Sequence, residues 1–466
     1  MNNNVYRWSK FTWIIVFTFL LLGAMTRFYR LDWSFWGDET STFLQVKALE
    51  DKIPPDPLAY YLQHITYQLF GRGERESRMG VAITGTLAIA FIVLLVFRLY
   101  GHVTAVLLGF ILLLSPWHLF HSQNQRSYSY AFFFGAMALL TAALAWKENN
   151  GKWAALSGLM SALTVATHSL SMVIPVALGT FVIFEILRHH PTISWRAIRG
   201  YLLVGVPLLL FLCFWAWFGW QNWSERQNWG YTSIHTLMGI AFNLNWGITL
   251  TACAGWWWAM WYSKDASDRL WGVVVIIVIV VAILAPLFLP FRQDYVFAST
   301  VAFFILAARF VALMYEQVKK QSRLIALAMS MVFILLPLPS FVSHYQDGDR
   351  HDYRSAAKFI NDHYQPGDII LSASWISVLR YYLPAFQVTP IPNLQEGKTA
   401  ILSLEQHIAD KQRVWLIYSL AREEIPQDVD QWLWKHGIRM LRIKKKRFDY
   451  HENITEVYLL NEKQEQ

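Results

Sequence analysis

The sequence is poor in cysteine and in charge, and it lacks nucleotide-binding loops. Its two cysteines, Cys213 and Cys253, lie in apolar segments, so neither a disulfide framework nor a cysteine metal site is predicted. No GxGxxG or GxxxxGK loop is present, so nothing indicates a nucleotide-binding fold. Charged residues make up only 15% of the chain, a fraction that excludes an ordinary soluble protein.

In place of charge, the chain has long apolar runs. Hydrophobic residues make up 55% of it, and uncharged stretches of about 18 residues, long enough to cross a bilayer as a helix, recur along most of its length. No small-residue cleavage site follows the first run, so we expect that run to be a retained span. The predicted fold is a polytopic α-helical membrane protein with about eleven transmembrane helices. They are placed at residues 11–30, 79–97, 103–120, 128–146, 153–168, 170–188, 200–219, 243–262, 270–290, 295–315 and 323–341.

The basic residues follow a membrane topology rather than a nucleic-acid surface. The formal net charge is +8, but the lysines and arginines are spread through short loops, mostly on the side of the N-terminus. Because cytoplasmic loops carry the excess of Lys and Arg, we predict a cytoplasmic N-terminus and no nucleic-acid partner. An odd number of spans then places the C-terminal residues outside the membrane.

The composition becomes polar after Phe341. We therefore divide the chain into a transmembrane domain, 1–342, and a small extracytoplasmic α/β domain, 345–466, in which helices alternate with strands. Its predicted helices lie near 353–363, 375–382, 403–410 and 428–436, and its predicted strands near 368–373, 387–391, 413–419, 438–444 and 455–460.

The first outer loop, 31–78, combines an acidic pair with basic residues. Asp38 and Glu39 follow the first span, where a charge is costly unless it has a task, although both could simply cap the next helix. An apolar, aromatic segment at 58–70 predicts an interfacial helix that Gly71 ends. A carboxylate that deprotonates an acceptor, with arginines that bind phosphate, is what transfer from a phosphate-linked donor needs.

Three motifs, taken together, resemble the GT-C fold glycosyltransferases that use lipid-linked sugars. This superfamily includes the protein O-mannosyltransferases and the bacterial aminoarabinose transferases that modify lipid A. The motifs are Trp-Gly-Asp-Glu at 36–39; Pro-Leu-Ala-Tyr-Tyr-Leu at 57–62, with Leu-Phe-Gly at 69–71 and Glu-Ser-Arg at 76–78; and Leu-Ser-Pro at 114–116, with Ser-Gln at 122–123 and Arg-Ser-Tyr at 126–128. Residues 352–357 and 366–368 also resemble the outer domain of bacterial members.

The resemblance implies a reaction and a set of roles. Asp38 would be the general base and Glu39 its support, while Arg78 and Arg126 would lie near the phosphate of a polyprenyl-phosphate sugar. Transfer would invert the anomeric carbon, and the acceptor would be a glycolipid, a polysaccharide or a protein. The implied location is the bacterial cytoplasmic membrane, among membrane lipids. The further candidates for substrate binding are Lys52, Asp56, Tyr61, His64 and Tyr128.

The chain departs from the family pattern at three places. In the second motif, Asp56 and Pro57 stand between the Pro-Pro pair and Leu58, where the family usually has none. Asn124 stands where many bacterial members have a glutamate, and Asp294-Tyr295 stands where an Arg-Tyr pair is common, which weakens any role for Arg292. No cofactor is assigned, and a divalent metal is left open. The alternatives are a transporter or flippase of lipid-linked sugars and a degenerate member that acts only as an assembly partner.

Overall fold

The structure is a computed structural model that describes residues 6–50, 56–189, 232–408, 413–421, 425–446 and 452–460. The chain divides into two compact units. The bundle unit comprises Met1–Leu31 and Ala48–Phe341, and the α/β unit comprises Asp32–Lys47 and Val342–Gln466. The acidic pair therefore belongs to the α/β unit. Lys52 and the predicted span 200–219 lie outside the described residues.

The bundle unit is helical throughout its described part. Helices α1 and α3 to α9 precede the undescribed stretch 190–231, and α10 to α14 follow it. Their bounds are α1 Lys10–Phe28, α3 Pro57–Phe70, α4 Met79–Tyr100, α5 His102–Leu114, α6 Pro116–Ser122, α7 Tyr128–Glu148, α8 Gly151–Thr167, α9 Val173–His189, α10 Ser233–Leu244, α11 Trp246–Trp261, α12 Ala266–Leu284, α13 Val301–Val318 and α14 Arg323–Leu335.

Several of these helices are long and apolar enough to span a bilayer. Seven such spans lie within the described residues, or nine if two bent helix pairs each count as one. A multi-pass membrane protein is therefore indicated, whereas the number eleven stays a prediction. The span predicted at 295–315 begins only at Val301, because residues Gln293–Ser299 form a 3-10 helix instead.

The chain bends inside one predicted span and at the edge of another, so a straight helix over 103–120 is wrong, whereas 243–262 contains the whole of α11. Within 103–120, α5 ends at Leu114, and the chain bends by 62° into α6. Ser115 caps α6 and Pro116 occupies its first turn, where the missing proline N–H costs nothing. Within 243–262, Asn245 has a φ of 80° and bends α10 away from α11 by 101°. An asparagine adopts a positive φ more readily than most residues.

Helix α3 is amphipathic, with large apolar side chains on its exposed face and polar side chains on its buried face. Its exposed side chains include Tyr61, Ile65 and Leu69, which share one face because they are four residues apart. Its buried side chains include the polar Gln63 and Thr66. An apolar outside and a polar inside suit a helix in contact with lipid, and the interfacial position stays our prediction.

The α/β unit is built on a five-stranded mixed sheet of order β2-β1-β3-β5-β4. Strands β1, β2 and β3 are parallel, and β5 runs antiparallel to both β3 and β4. The strands are β1 Ile369–Ser372, β2 Val388–Pro390, β3 Val414–Ala421, β4 Gly437–Lys446 and β5 Glu452–Leu460. Helix α15, Leu338–Asp347, crosses the boundary at Phe341. The other helices of this unit are α2 Gly37–Lys47, α16 Tyr353–His363, α17 Ile376–Tyr382, α18 Lys398–Ile408 and α19 Gln427–His436.

Each face of this sheet carries a separate apolar core. Helices α18 and α19 cover one face, with Leu404 and Leu433 fully buried. Helices α16 and α17 cover the other face, with Ile360 and Leu379 fully buried. The order of helices and strands within 353–460 is the order that the sequence predicts, although α18 begins at Lys398 rather than at 403. Alternating helix and strand periodicity was sufficient here, because each element buries one apolar face.

Buried ion pairs join the bundle helices at the end that we predict to be cytoplasmic. Arg269 on α12 holds Glu185 on α9 through two hydrogen bonds, of 2.6 and 2.7 Å. The two side chains are only 4% and 1% exposed. Such a pair is costly to break, because the charge that remains would be buried without its counter-ion.

We therefore expect Glu185→Gln to destabilise the bundle by about 3 kcal/mol or more. The double variant Glu185→Leu with Arg269→Met removes both charges and should recover most of that loss. Thermal unfolding of the purified protein in detergent measures both effects. As a control, Asp362→Asn breaks the exposed pair with Lys358 and should leave the melting temperature unchanged. A double variant as unstable as Glu185→Gln would show that packing, not charge, sets the cost.

Candidate functional site

The acidic pair forms the first turn of α2. The backbone N–H groups of Glu39 and Thr40 both donate to the carbonyl of Trp36, at 3.0 and 3.2 Å, which starts the helix at Gly37. Carboxylates are favourable in a first helical turn because of the helix dipole. Glu39 is fully buried at 0% exposure, whereas Asp38 is partly exposed. The two carboxylates therefore differ in access, and Asp38 is the one that a substrate could reach.

Side chains of the α/β unit hold the segment that leads into α2. The Tyr382 hydroxyl accepts a hydrogen bond of 2.7 Å from the Phe35 N–H, and the Arg354 N–H donates to the Ser34 hydroxyl at 3.2 Å. The ring of Phe35 is fully buried and lies edge-on to Tyr381, with ring centroids 5.0 Å apart. The position of the acidic pair is thus fixed by residues more than 300 positions away in the chain.

In the bundle unit, the second and third motifs meet through a polar network. Gln63 on α3 donates to the Ser77 carbonyl at 2.6 Å, and the Tyr67 hydroxyl donates to the Gln125 side chain at 3.1 Å. Arg78 is fully buried and donates to the Leu31 carbonyl at 2.7 Å. The network brings together the segments that precede Arg78 and Arg126, and Arg126 is the more exposed of the two arginines.

A second buried network, which sequence reasoning missed, ties α1 to the third motif. Arg27 is fully buried and donates to the carbonyls of Leu112 and Leu113, at 2.8 and 2.7 Å, and its Nη2 lies 2.8 Å from His118 Nδ1. The carbonyls of Leu112 and Leu113 lie in the last turn of α5, where the chain bends. Gln123 donates to the last carbonyls of α1 and its exit, including that of Tyr29 at 2.8 Å. A charged residue inside an otherwise apolar first span was the available signal.

Asp294 is the centre of a third cluster, and it was not among our candidates. Its carboxylate accepts a hydrogen bond from Trp117 Nε1 at 3.1 Å and lies 3.3 Å from His121 Nε2. Arg292 Nη2 approaches it at 3.4 Å. The signal was present in the sequence, because Asp294 stands where related chains often carry arginine. Arg292 lies two positions before Asp294 in the sequence, and its guanidinium is a partner of the Asp294 carboxylate.

Two further predicted residues, Tyr128 and Asp56, lie beside this cluster. Tyr128 lies between His121 and His168, with ring centroids 4.6 and 5.2 Å away. The Asp56 carboxylate accepts a 2.8 Å hydrogen bond from the Ser169 N–H, next to His168. The cluster combines imidazoles, carboxylates, phenols and guanidinium groups.

The remaining candidates lie apart from these networks. The ring of Tyr61 is on the exposed apolar face of α3, and His64 on the same helix pairs with Gln68 at 2.8 Å. In the described part of the chain, no hydrogen bond or ring contact joins either side chain to the Asp294 cluster. Among the residues that the structure describes, no group of three histidine, cysteine, aspartate or glutamate side chains is arranged to hold a metal ion.

Comparisons with known proteins bear on the fold. Residues 53–217 match the family described as dolichyl-phosphate-mannose-protein mannosyltransferase. No curated protein matches the chain by sequence. The crystal structure of ArnT from Cupriavidus metallidurans in the apo state matches with a TM-score of 0.54 and 13% identity, covering 95% of this chain and 97% of that one. The same protein bound to undecaprenyl phosphate matches with a TM-score of 0.53 and 12% identity, covering 96% and 98%.

A third solved structure is archaeal. The oligosaccharyltransferase AglB from Archaeoglobus fulgidus, in complex with an inhibitory peptide and a dolichol-phosphate, matches with a TM-score of 0.55 and 12% identity, covering 88% of this chain and 70% of that one. Nothing among these matches supports the flippase alternative. In sequence over residues 53–217 and in fold over most of its length, the chain resembles the GT-C glycosyltransferases that use polyprenyl-phosphate sugars.

Proposed function

We propose that this chain is an inverting glycosyltransferase that moves a sugar from a polyprenyl-phosphate donor to an acceptor outside the cytoplasm. The observation that carries the proposal is the contrast within the acidic pair of α2. Asp38 is partly exposed and Glu39 is fully buried, so the pair offers one accessible carboxylate on a fixed support. The matched structures with undecaprenyl phosphate and dolichol-phosphate support a lipid-phosphate donor by analogy of fold.

In the proposed reaction, Asp38 removes the proton from a hydroxyl or amine of the acceptor. The acceptor atom forms a bond to the anomeric carbon, and the bond from that carbon to the phosphate oxygen breaks. The polyprenyl phosphate leaves with the electron pair, and the configuration of the anomeric carbon inverts. Glu39 supports the turn that presents Asp38, because its burial at the start of α2 leaves it no access to substrate.

The donor phosphate is assigned to the bundle unit. Arg126 follows the Asn124–Gln125 turn and keeps part of its side chain exposed, which suits a guanidinium that binds a phosphate. Arg78, fully buried and bonded to the Leu31 carbonyl, would act by holding the chain at the end of α1. Tyr128 would complete the phosphate site, as it follows Arg126 by two residues and lies against His121.

Asp38→Asn should lower kcat by roughly 10²- to 10⁴-fold, because the isosteric amide cannot accept a proton. The assay uses purified protein, radiolabelled polyprenyl-phosphate sugars and a panel of glycolipid, glycan and peptide acceptors. The matched control is Asp32→Asn, since Asp32 is exposed in the same segment and should leave transfer unchanged. If transfer persists at the wild-type rate in Asp38→Asn, Asp38 is not the base.

Arg126→Gln should weaken binding of polyprenyl phosphate by about tenfold, the loss expected for one charge-assisted hydrogen bond of ~1.5 kcal/mol. The affinity is measured with the lipid phosphate alone, so the result does not depend on the identity of the sugar. Arg323→Gln, an exposed arginine at the start of α14, serves as the control and should bind as the wild type does. Equal affinities of the Arg126 variant and the wild type would remove Arg126 from the donor site.

A further inference from the structure

Two residues of the α/β unit, each at the start of a helix, contact each other. Gly37 is the first residue of α2, and Trp375 is the N-cap of α17. The indole of Trp375 covers Gly37 so closely that a Cβ at Gly37 would lie 2.0 Å from the ring. A separation of that size cannot exist between real atoms, so position 37 has room for glycine alone while Trp375 stays in place.

Trp375 is not explained by its own helix. Tryptophan is a poor N-cap because it offers no side-chain acceptor, and Trp375 makes no capping hydrogen bond. The side chain is also 48% exposed, so it is not in place to fill the core. A residue that breaks a local rule where it contacts another element is typical of a functional site.

The contact lies directly beside the proposed base. Asp38 follows Gly37 in the first turn of α2, so the ring that rests on Gly37 fixes the backbone from which the Asp38 carboxylate projects. Further contacts from α17 act on the same turn, since the Thr40 and Ser377 hydroxyls are 2.8 Å apart. Trp36, on the other side of Gly37, packs against the apolar core beneath α16 and α17.

We propose that Trp375 is a positioning residue, which makes the α/β unit a working part of the transferase by clamping the turn that carries Asp38. The inference rests on the proposed function, because it assigns Trp375 to the presentation of that base. A base misplaced by about 1 Å can slow a reaction by roughly 10²-fold, so a rigid clamp at this turn has a large effect on rate.

The test is a double-mutant cycle on the full-length protein. Gly37→Ala should lower kcat by about 10²-fold, because the new methyl group must displace either the indole or the turn. Trp375→Ala should also lower kcat, with little change in the KM of the donor, and Trp375→Phe should restore part of it. In the double variant the methyl group meets no ring, so its kcat should match that of Trp375→Ala. Trp434→Ala, which removes an exposed tryptophan of α19, should leave kcat unchanged.

A second readout reports the position of α2 without the reaction. A spin label on Gln45→Cys, an exposed site of α2, is placed in a chain whose Cys213 and Cys253 are replaced by serine. Trp375→Ala should increase the label's mobility, and Trp434→Ala should not. Unchanged mobility, or singles whose losses in kcat simply add in the double variant, would overturn the clamp. Increased mobility together with full transfer by Asp38→Asn would keep the clamp and reject Asp38 as the base.

Discussion

A carboxylate that is removed from water without a partner costs several kcal/mol, and much of this structure follows from that constraint. Glu185 pairs with Arg269, Asp268 with Arg309, and Asp294 accepts from Trp117 beside His121. Asp56 accepts from a backbone N–H in the same way. Each pair joins separate segments of the bundle unit, so neutralising a charge also fixes the packing of helices. Asp38, in the first turn of α2, is partly exposed, and it is the carboxylate that we propose as the base.

The chain divides its chemistry between two kinds of scaffold. The bundle unit carries the arginines, imidazoles and phenols of the second and third motifs, held by buried hydrogen bonds such as that from Tyr67 to Gln125. The α/β unit carries the acidic pair, held by a sheet-based core. The proposed base must be placed to within a fraction of an ångström, and a close-packed core is a more rigid support than a loop.

Much of the architecture could be predicted from sequence because it follows from local periodicity. The helix predicted at 353–363 is Tyr353–His363, and the strands of the α/β unit follow the predicted order. The bend at Ser115 was missed, because the predicted span was drawn through the residue that caps α6. Helix α10, before the bend at Asn245, was missed because its twelve residues are too few for a span. The resemblance to the GT-C glycosyltransferases rested on short motifs, which keep their meaning even where overall identity is low.

The arrangement of the candidate site was harder to predict. Nothing in the neighbourhood of Gly37 indicates that Trp375 will cover it, because the contact depends on tertiary folding across most of the chain. Asp294 was overlooked for the opposite reason. An aspartate at this position departs from the family pattern, so the resemblance assigned it no role. Its neighbours became known only from the structure. Arg27 lies inside a predicted span. Its burial is understood only when the structure shows that its guanidinium donates to the carbonyls at the end of α5.

Helix α3 has a consequence for the environment in which the protein is studied. Its exposed row of Tyr61, Ile65 and Leu69 must be covered by an apolar solvent, while its buried row reaches Gln125 through Gln63 and Tyr67. Gln125 directly precedes Arg126. With α3 at the membrane interface, as we predict, the lateral pressure of the surrounding lipid or detergent would act through one helix and two hydrogen bonds on the segment that carries this arginine, and the choice of amphiphile would then alter the proposed chemistry.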